Sequence, residues 1–378
     1  LTSFGGPVAH LGYLRAELVE RRAWLTEAAY ADLVALCQFL PGPASSQLVF
    51  ALGQGRAGWW GGLLASLCFT LPSAALMILF GYGVTFWGEL HSSGWLHGLK
   101  LATVAVVAQA VWALGRTLCP DLSRLGLALA ALTALLAWPG TTTQIAVIMA
   151  GAGLGCLTFR ARPQTPLSHP LPPRREKFIG GGLLASFAAL LLLLPLLRAA
   201  ETAPAVAYFD SFYRAGALVF GGGHVVLPLL RAEVVPPGWV SDPDFLAGYG
   251  AAQAVPGPLF TFAGYLGTLM GHGPWAGLTG AWCLLAIFLP AWLLIGGALP
   301  FWHALRAQPW AQAALRGANA VVVGILLAAF YHPVCAEGLQ SAADILAVLI
   351  LFGLLQWAKS PPWLVVLLAA LGGQLCQR

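Results

Sequence analysis

Ser45 and Ser46 follow closely on Pro41-Gly42-Pro43, and Gln38 stands three residues before the first proline, in a stretch that is otherwise apolar. Proline removes a backbone donor and clashes with the preceding helical turn. Glycine admits backbone angles that other residues resist. A helix restarting after Pro43 would present the free amides of Ala44, Ser45 and Ser46, with two hydroxyls, at its positive dipole end. That is chemistry for holding an anion. A tetrahedral dianion needs N–H and O–H donors and no covalent machinery. The device returns as Gln253 followed by Pro256-Gly257-Pro258, with Leu259, Phe260 and Thr261 in the amide positions. The pocket would therefore be asymmetric. The competing reading is a kink that helps two helices pack.

Other residues could assist. Gly5-Gly6 and Gly221-Gly222-Gly223 would allow a second unwound stretch with exposed amides, or close packing of helices through small residues. Arg15 and Arg231 are the cationic candidates, each followed two positions later by Glu17 and Glu233. At that spacing on a helix the two charges do not face each other, so each needs another partner. Ionisable groups inside a membrane are functional candidates by default, yet residues near segment ends can snorkel to the headgroups. Substrate or coupling contact and a structural charge pair both stay open. His10 and His224 titrate near neutral pH, which suits proton coupling as well as polar packing. Glu89, Glu201, Asp210, Asp242, Asp244, Glu337 and Asp344 are expected in or beside loops, on solvated faces. The seven cysteines are scattered without ligand spacing, so neither a disulfide framework nor a metal site is expected.

The elements that would position these groups are membrane helices. The 378 residues are 59% hydrophobic and only 9% charged, against about 25% charged in a soluble domain. The periodicity is helical, without the alternation of a membrane barrel. An all-α polytopic bundle is expected. Apolar segments are read at Gly61 to Phe86, His97 to Leu114, Leu125 to Trp138, Gln144 to Phe159, Phe178 to Leu197, Ala281 to Leu299, Ala311 to Phe330, Ile345 to Trp357 and Trp363 to Leu375, with Pro72 as an expected kink. Phe4 to Val19 makes a poor plain span, and Ala31 to Leu52 is broken by its prolines. A basic, proline-rich stretch, 160–177, divides the chain. The net charge of +5 is read as cytoplasmic loops and not as nucleic-acid binding.

The second half repeats the first. Phe4-Gly5-Gly6 lies 216 residues before Phe220-Gly221-Gly222, and Arg15-Ala16-Glu17 the same distance before Arg231-Ala232-Glu233. Trp24, Gln38 and Pro41-Gly42-Pro43 lie 215 residues before Trp239, Gln253 and Pro256-Gly257-Pro258. An ordered series of this kind indicates duplication. The expected organisation is a first repeat at 1–159, the linker at 160–177, a connecting span at 178–198 and a second repeat at 199–378. If the broken segments dip in and return, a cytoplasmic N-terminus leaves only Lys100, Arg198, Arg214, Arg231 and Arg378 outside, with the other 14 of the 19 Lys and Arg inside. An odd number of crossings then separates equivalent points, so the repeats are expected to be inverted, with broken or re-entrant helices near the midplane.

Phe4-Gly5-Gly6-Pro7, the Gln38 to Ser46 motif, Phe220-Gly221-Gly222-Gly223-His224 and Pro256-Gly257-Pro258 together resemble the chromate ion transporter family in its long two-domain form. The resemblance covers nearly the whole chain. It implies a bacterial inner-membrane protein that exports chromate and confers resistance, with sulfate, the isosteric dianion, as competitor. It implies no enzyme activity and no cofactor. The lipid bilayer is the remaining partner, and a homodimer is open to such a chain. An uptake carrier for sulfate or another oxyanion is the rival within transport. An intramembrane enzyme would require clustered catalytic groups that the sequence lacks. No GxxxxGK[ST] motif is present, so drive from an ion gradient or the membrane potential is expected.

Overall fold

The computed structural model describes residues 6–86, 94–159, 174–200, 203–220, 223–302 and 308–376, and all regular structure among them is helical. Gly5, Gly221, Gly222 and most of the proline-rich linker lie outside the described residues. Among the described residues, six helical segments are long and apolar enough to cross a membrane, namely Ala44–Phe86, Gly94–Leu118, Thr141–Thr158, Arg175–Ala199, Gly273–Phe301 and Pro309–Gly338. Trp60, Trp138, Trp275, Trp310 and Trp357 are exposed at helix ends, where aromatic rings suit the headgroup level. The chain is an all-α polytopic membrane protein.

Helix α1 (Gly6–Arg15) continues as a wide π-type turn, Ala16–Arg21. Helix α2 (Glu27–Phe39) starts at Thr26, whose hydroxyl accepts from the Ala29 amide, and ends at Leu40 in extended backbone just before the first break. Helix α3 (Ala44–Phe86) starts directly after the break. Its backbone leaves helical geometry at Ala57 and Gly58, the latter at φ +62, and not at Pro72. The 44–56 arm folds back on the 59–86 arm, and the Gly53 and Gly61 backbones approach so closely that neither tolerates a Cβ. Phe50 packs against Trp59 across this hairpin.

The second half repeats these local choices at the same 215-residue spacing. Helix α10 (Asp242–Ala254) is capped by Ser241 and ends at Val255 in extended backbone. After the second break, Leu259–Thr261 forms a short 3-10 turn leading into α11 (Phe262–Met270). Gly273, at φ +61, then reverses the chain into α12 (Ala276–Ala298), which packs along α11. Thr26 and Ser241, Leu40 and Val255, and Gly58 and Gly273 are thus pairs with matching local roles. Between the two sets lie α4 (Gly94–Leu118), α5 (Leu122–Ala137), α6 (Thr141–Thr158), the peripheral α7 (Arg174–Ala199), α8 (Pro204–Ala217) and α9 (Val226–Val234).

The C-terminal parts of the two halves are exchanged. The remaining helices are α13 (Pro309–Ala329), α14 (Ala342–Gln356) and α15 (Pro362–Cys376). Helix α4 of the first half packs on α14 and α15 of the second, and α13 of the second packs on α5 and α6 of the first. Both crossings are backbone to backbone. Gly94 and Gly98 lie against the carbonyls of Gly373 and Ala369, and Gly317 lies against the carbonyl of Gly151. Small residues allow this approach in a bilayer, where close van der Waals packing must replace the hydrophobic effect.

Candidate functional site

The two breaks meet. A small cavity of about 10 Å³ is lined by His10 of α1, Pro43 and Ser45 of the first break, Gly223, and Pro258, Leu259 and Phe260 of the second break. Gly42 and Gly257 hold φ +121 and φ +141, a region that side chains resist. Each packs on the long helix of the other half. A Cβ on Gly42 would touch Ala291, one residue after Pro290, and a Cβ on Gly257 would collide with Ser73, one residue after Pro72. The Gly42 amide also donates to the Val219 carbonyl across the interface at 2.7 Å.

Donor capacity differs between the breaks. In the first, Ser45 and Ser46 are buried, and the Ser46 hydroxyl has no hydrogen-bond partner. The Gln47 amide Nε2 donates to the Pro41 carbonyl at 2.8 Å, which braces the break from within, and its Oε1 is unpartnered. The first-turn amides of α3 point out of its N-terminus without intrahelical partners. In the second break, the Thr261 hydroxyl is spent on the Pro258 carbonyl at 2.9 Å, and Phe260 is buried near Phe288. Buried His10 sits edge-on to Phe69 at 5.3 Å. Near the second break, His224 Nδ1 lies 2.9 Å from the Tyr249 hydroxyl. The Gln253 Nε2 is buried with no hydrogen-bond partner. Gln38 is instead exposed on α2.

The arginines and glutamates stand away from this cavity. Arg15 is exposed and pairs with Glu20 at 2.6 Å and Glu27 at 2.8 Å. Arg231 pairs with Asp242 through two nitrogens, at 2.7 and 2.8 Å. Glu27 and Asp242 are the first residues of α2 and α10, so each arginine anchors the helix that leads into its break. Glu17 accepts from Arg22 and Arg21 at the surface, which holds its carboxyl below the ordinary range. Glu233, its counterpart, is buried, accepting from Arg214, Ser211 and Arg198. Asp210 corrects the loop expectation: it is fully buried in α8 and paired with Arg214 and Arg198. The reason is that α8 extends through residues 204–217 and turns Asp210 inward with Arg214 one turn later. Sequence reasoning passed over this pair and over Gln47, Ser73 and Tyr249. An Asp and an Arg four apart in an apolar segment were the available signal for the first.

Comparison with known proteins agrees with the motifs. The pattern of the chromate transporter family matches residues 1–156 and 206–374. A probable chromate transport protein of Synechococcus elongatus is 31% identical, with 98% of this chain and 91% of that protein covered. Chromate transport proteins of Cupriavidus metallidurans and Pseudomonas aeruginosa are each 30% identical, covering 98% and 86% of this chain and 88% and 76% of their own lengths. No solved structure matches. With both motif pairs, the helical membrane architecture and these relatives in agreement, the chain belongs to the chromate transporter family.

Proposed function

We propose that this chain is a secondary transporter that exports chromate across the bacterial inner membrane and so confers chromate resistance, with sulfate as a competing dianion. The observation that carries the reading is the meeting of the two Pro-Gly-Pro breaks at one small cavity, with the unpartnered Ser46 hydroxyl in the first break. We take the two halves as inverted repeats, with a cytoplasmic N-terminus and linker and the cavity near the midplane. The Ala44, Ser45 and Ser46 amides and the serine hydroxyls bind the anion. Gly42, Gly257 and the prolines shape the break, Gln253 and Thr261 complete the polar lining, and Gly5, Gly6, Gly221, Gly222 and Gly223 give backbone freedom beside it. His10 and His224 are the coupling candidates nearest the breaks, while Arg15 and Arg231 act at a distance through the helices they anchor.

A space of about 10 Å³ holds one water at most. The breaks must separate for a tetrahedral dianion to enter, so this state is the closed one in the cycle. An inside-negative potential favours outward movement of a dianion by about 2.3 kcal/mol per charge per 100 mV. Vesicles reconstituted with the full chain should move labelled chromate, and Ser45→Ala/Ser46→Ala should lower uptake by roughly tenfold or more through loss of charge-assisted hydrogen bonds, with unchanged membrane abundance. Cells overproducing the protein should accumulate less chromate. Higher accumulation would instead establish the rival uptake carrier.

A further inference from the structure

A second cluster of anion donors lies outside the central cavity. Arg198 at the end of α7, Ser211 and Arg214 on α8, and Asp210 and Glu233 converge on one point. Arg214 Nη2 donates to Asp210 Oδ2 at 2.9 Å and to Glu233 Oε2 at 2.8 Å. Arg198 Nη1 reaches the Ser211 hydroxyl at 3.0 Å and the same two carboxylate oxygens at 3.3 and 3.4 Å. Ser211 also donates to Glu233 at 2.8 Å. Two guanidinium groups and a hydroxyl therefore surround one oxygen from each of two carboxylates, whose combined charge is minus two. That is the donor set and the charge of a tetrahedral dianion. The carboxylates fill it imperfectly. Asp210 and Glu233 are 0% and 5% exposed, yet Asp210 Oδ1, Glu233 Oε1 and Arg214 Nε are buried with no partner. A purely structural pair would satisfy those atoms. Arg198 is one-third exposed, so the cluster can be reached from outside.

Resting on the transport reading above, we propose that Arg198, Ser211 and Arg214 form a peripheral station for the tetrahedral dianion, and that Asp210 and Glu233 occupy it as tethered stand-ins until the substrate arrives. Arginine does not lose its proton, so the two cations stay available through the cycle. Substrate and carboxylates compete for the same hydrogens, and the carboxylates swing aside when the dianion binds. Trp239, whose ring lies 5.6 Å from the Arg198 guanidinium, reports on the exchange.

The test uses the full chain in vesicles, with sulfate as the binding probe and labelled chromate as the transport probe. Sulfate should change tryptophan emission in the wild-type chain, and Trp239→Phe should remove that change. Glu233→Gln weakens one competitor and should lower the half-saturating sulfate concentration roughly tenfold, the weight of a charge-assisted hydrogen bond. Asp210→Asn should act in the same direction, and Arg214→Gln should abolish the response. The proposal is overturned if the wild-type emission ignores sulfate, or if Glu233→Gln and Asp210→Asn lower only the melting temperature and leave half-saturation unchanged. Should Arg214→Gln fail to fold, the two carboxylate variants decide the matter. A wild-type chain that moves no chromate sinks the transport reading itself, whereas normal chromate transport with an unmoved half-saturation sinks the station alone.

Discussion

Arg15 and Arg231 recur at equivalent places, and each is bound to the acid that opens the next helix. The recurrence thus follows from anchoring α2 and α10, and the environments set the strength. Arg15 and its partners are all about half exposed, where ion pairs contribute little. Arg231 is mostly shielded and makes a two-pronged bond to Asp242. Arg15→Ala should leave chromate transport within about twofold of wild type. Arg231→Ala should destabilise the protein by about 1–3 kcal/mol, read as a lower melting temperature in detergent. Equal effects of the two substitutions would refute the anchoring account. These roles were half legible in the sequence: the repeated Arg-x-Glu pointed to a fixed role, but the partner lies across a turn, and no local spacing identifies it. The buried hydroxyls of the first break, Ser45 and Ser46, stand where the sequence places candidate donors. The brace from Gln47 was not legible, because its target is a carbonyl freed only by the particular path of Pro41.

At the scale of the element, the breaks could be read directly, since proline and glycine act on their own backbone. The partners of the long helices could not. An apolar helix face in lipid does not encode which neighbour covers it, and the small residues that mark a crossing, Gly94, Gly98, Gly151 and Gly317, are also common where nothing touches them. Gly12, Gly115, Gly126 and Gly153 have open space beside them. The distinction yields a prediction. Gly317→Ala would drive a methyl into the Gly151 carbonyl and should lower stability by about 2 kcal/mol or more, within the range for overpacking. Gly115→Ala meets nothing and should leave stability the same or slightly raised, by up to about 1 kcal/mol. Melting temperatures of the purified variants check both.

The exchange of C-terminal helices governs the whole molecule. Neither half encloses a complete bundle, because α4 is covered by α14 and α15, and α13 by α5 and α6. Residues 1–159 expressed alone should therefore be degraded, while co-expression with 178–378 should restore both pieces to the membrane. Immunoblots of tagged halves would show this, and stable accumulation of either half alone would refute it. The same interdependence reaches the centre, where Gly42 rests on the second half and Gly257 on the first. A displacement at one break is thus felt by the long helix of the other half, so the centre and the seam between the halves share one packing, and a substitution that loosens either should show in both.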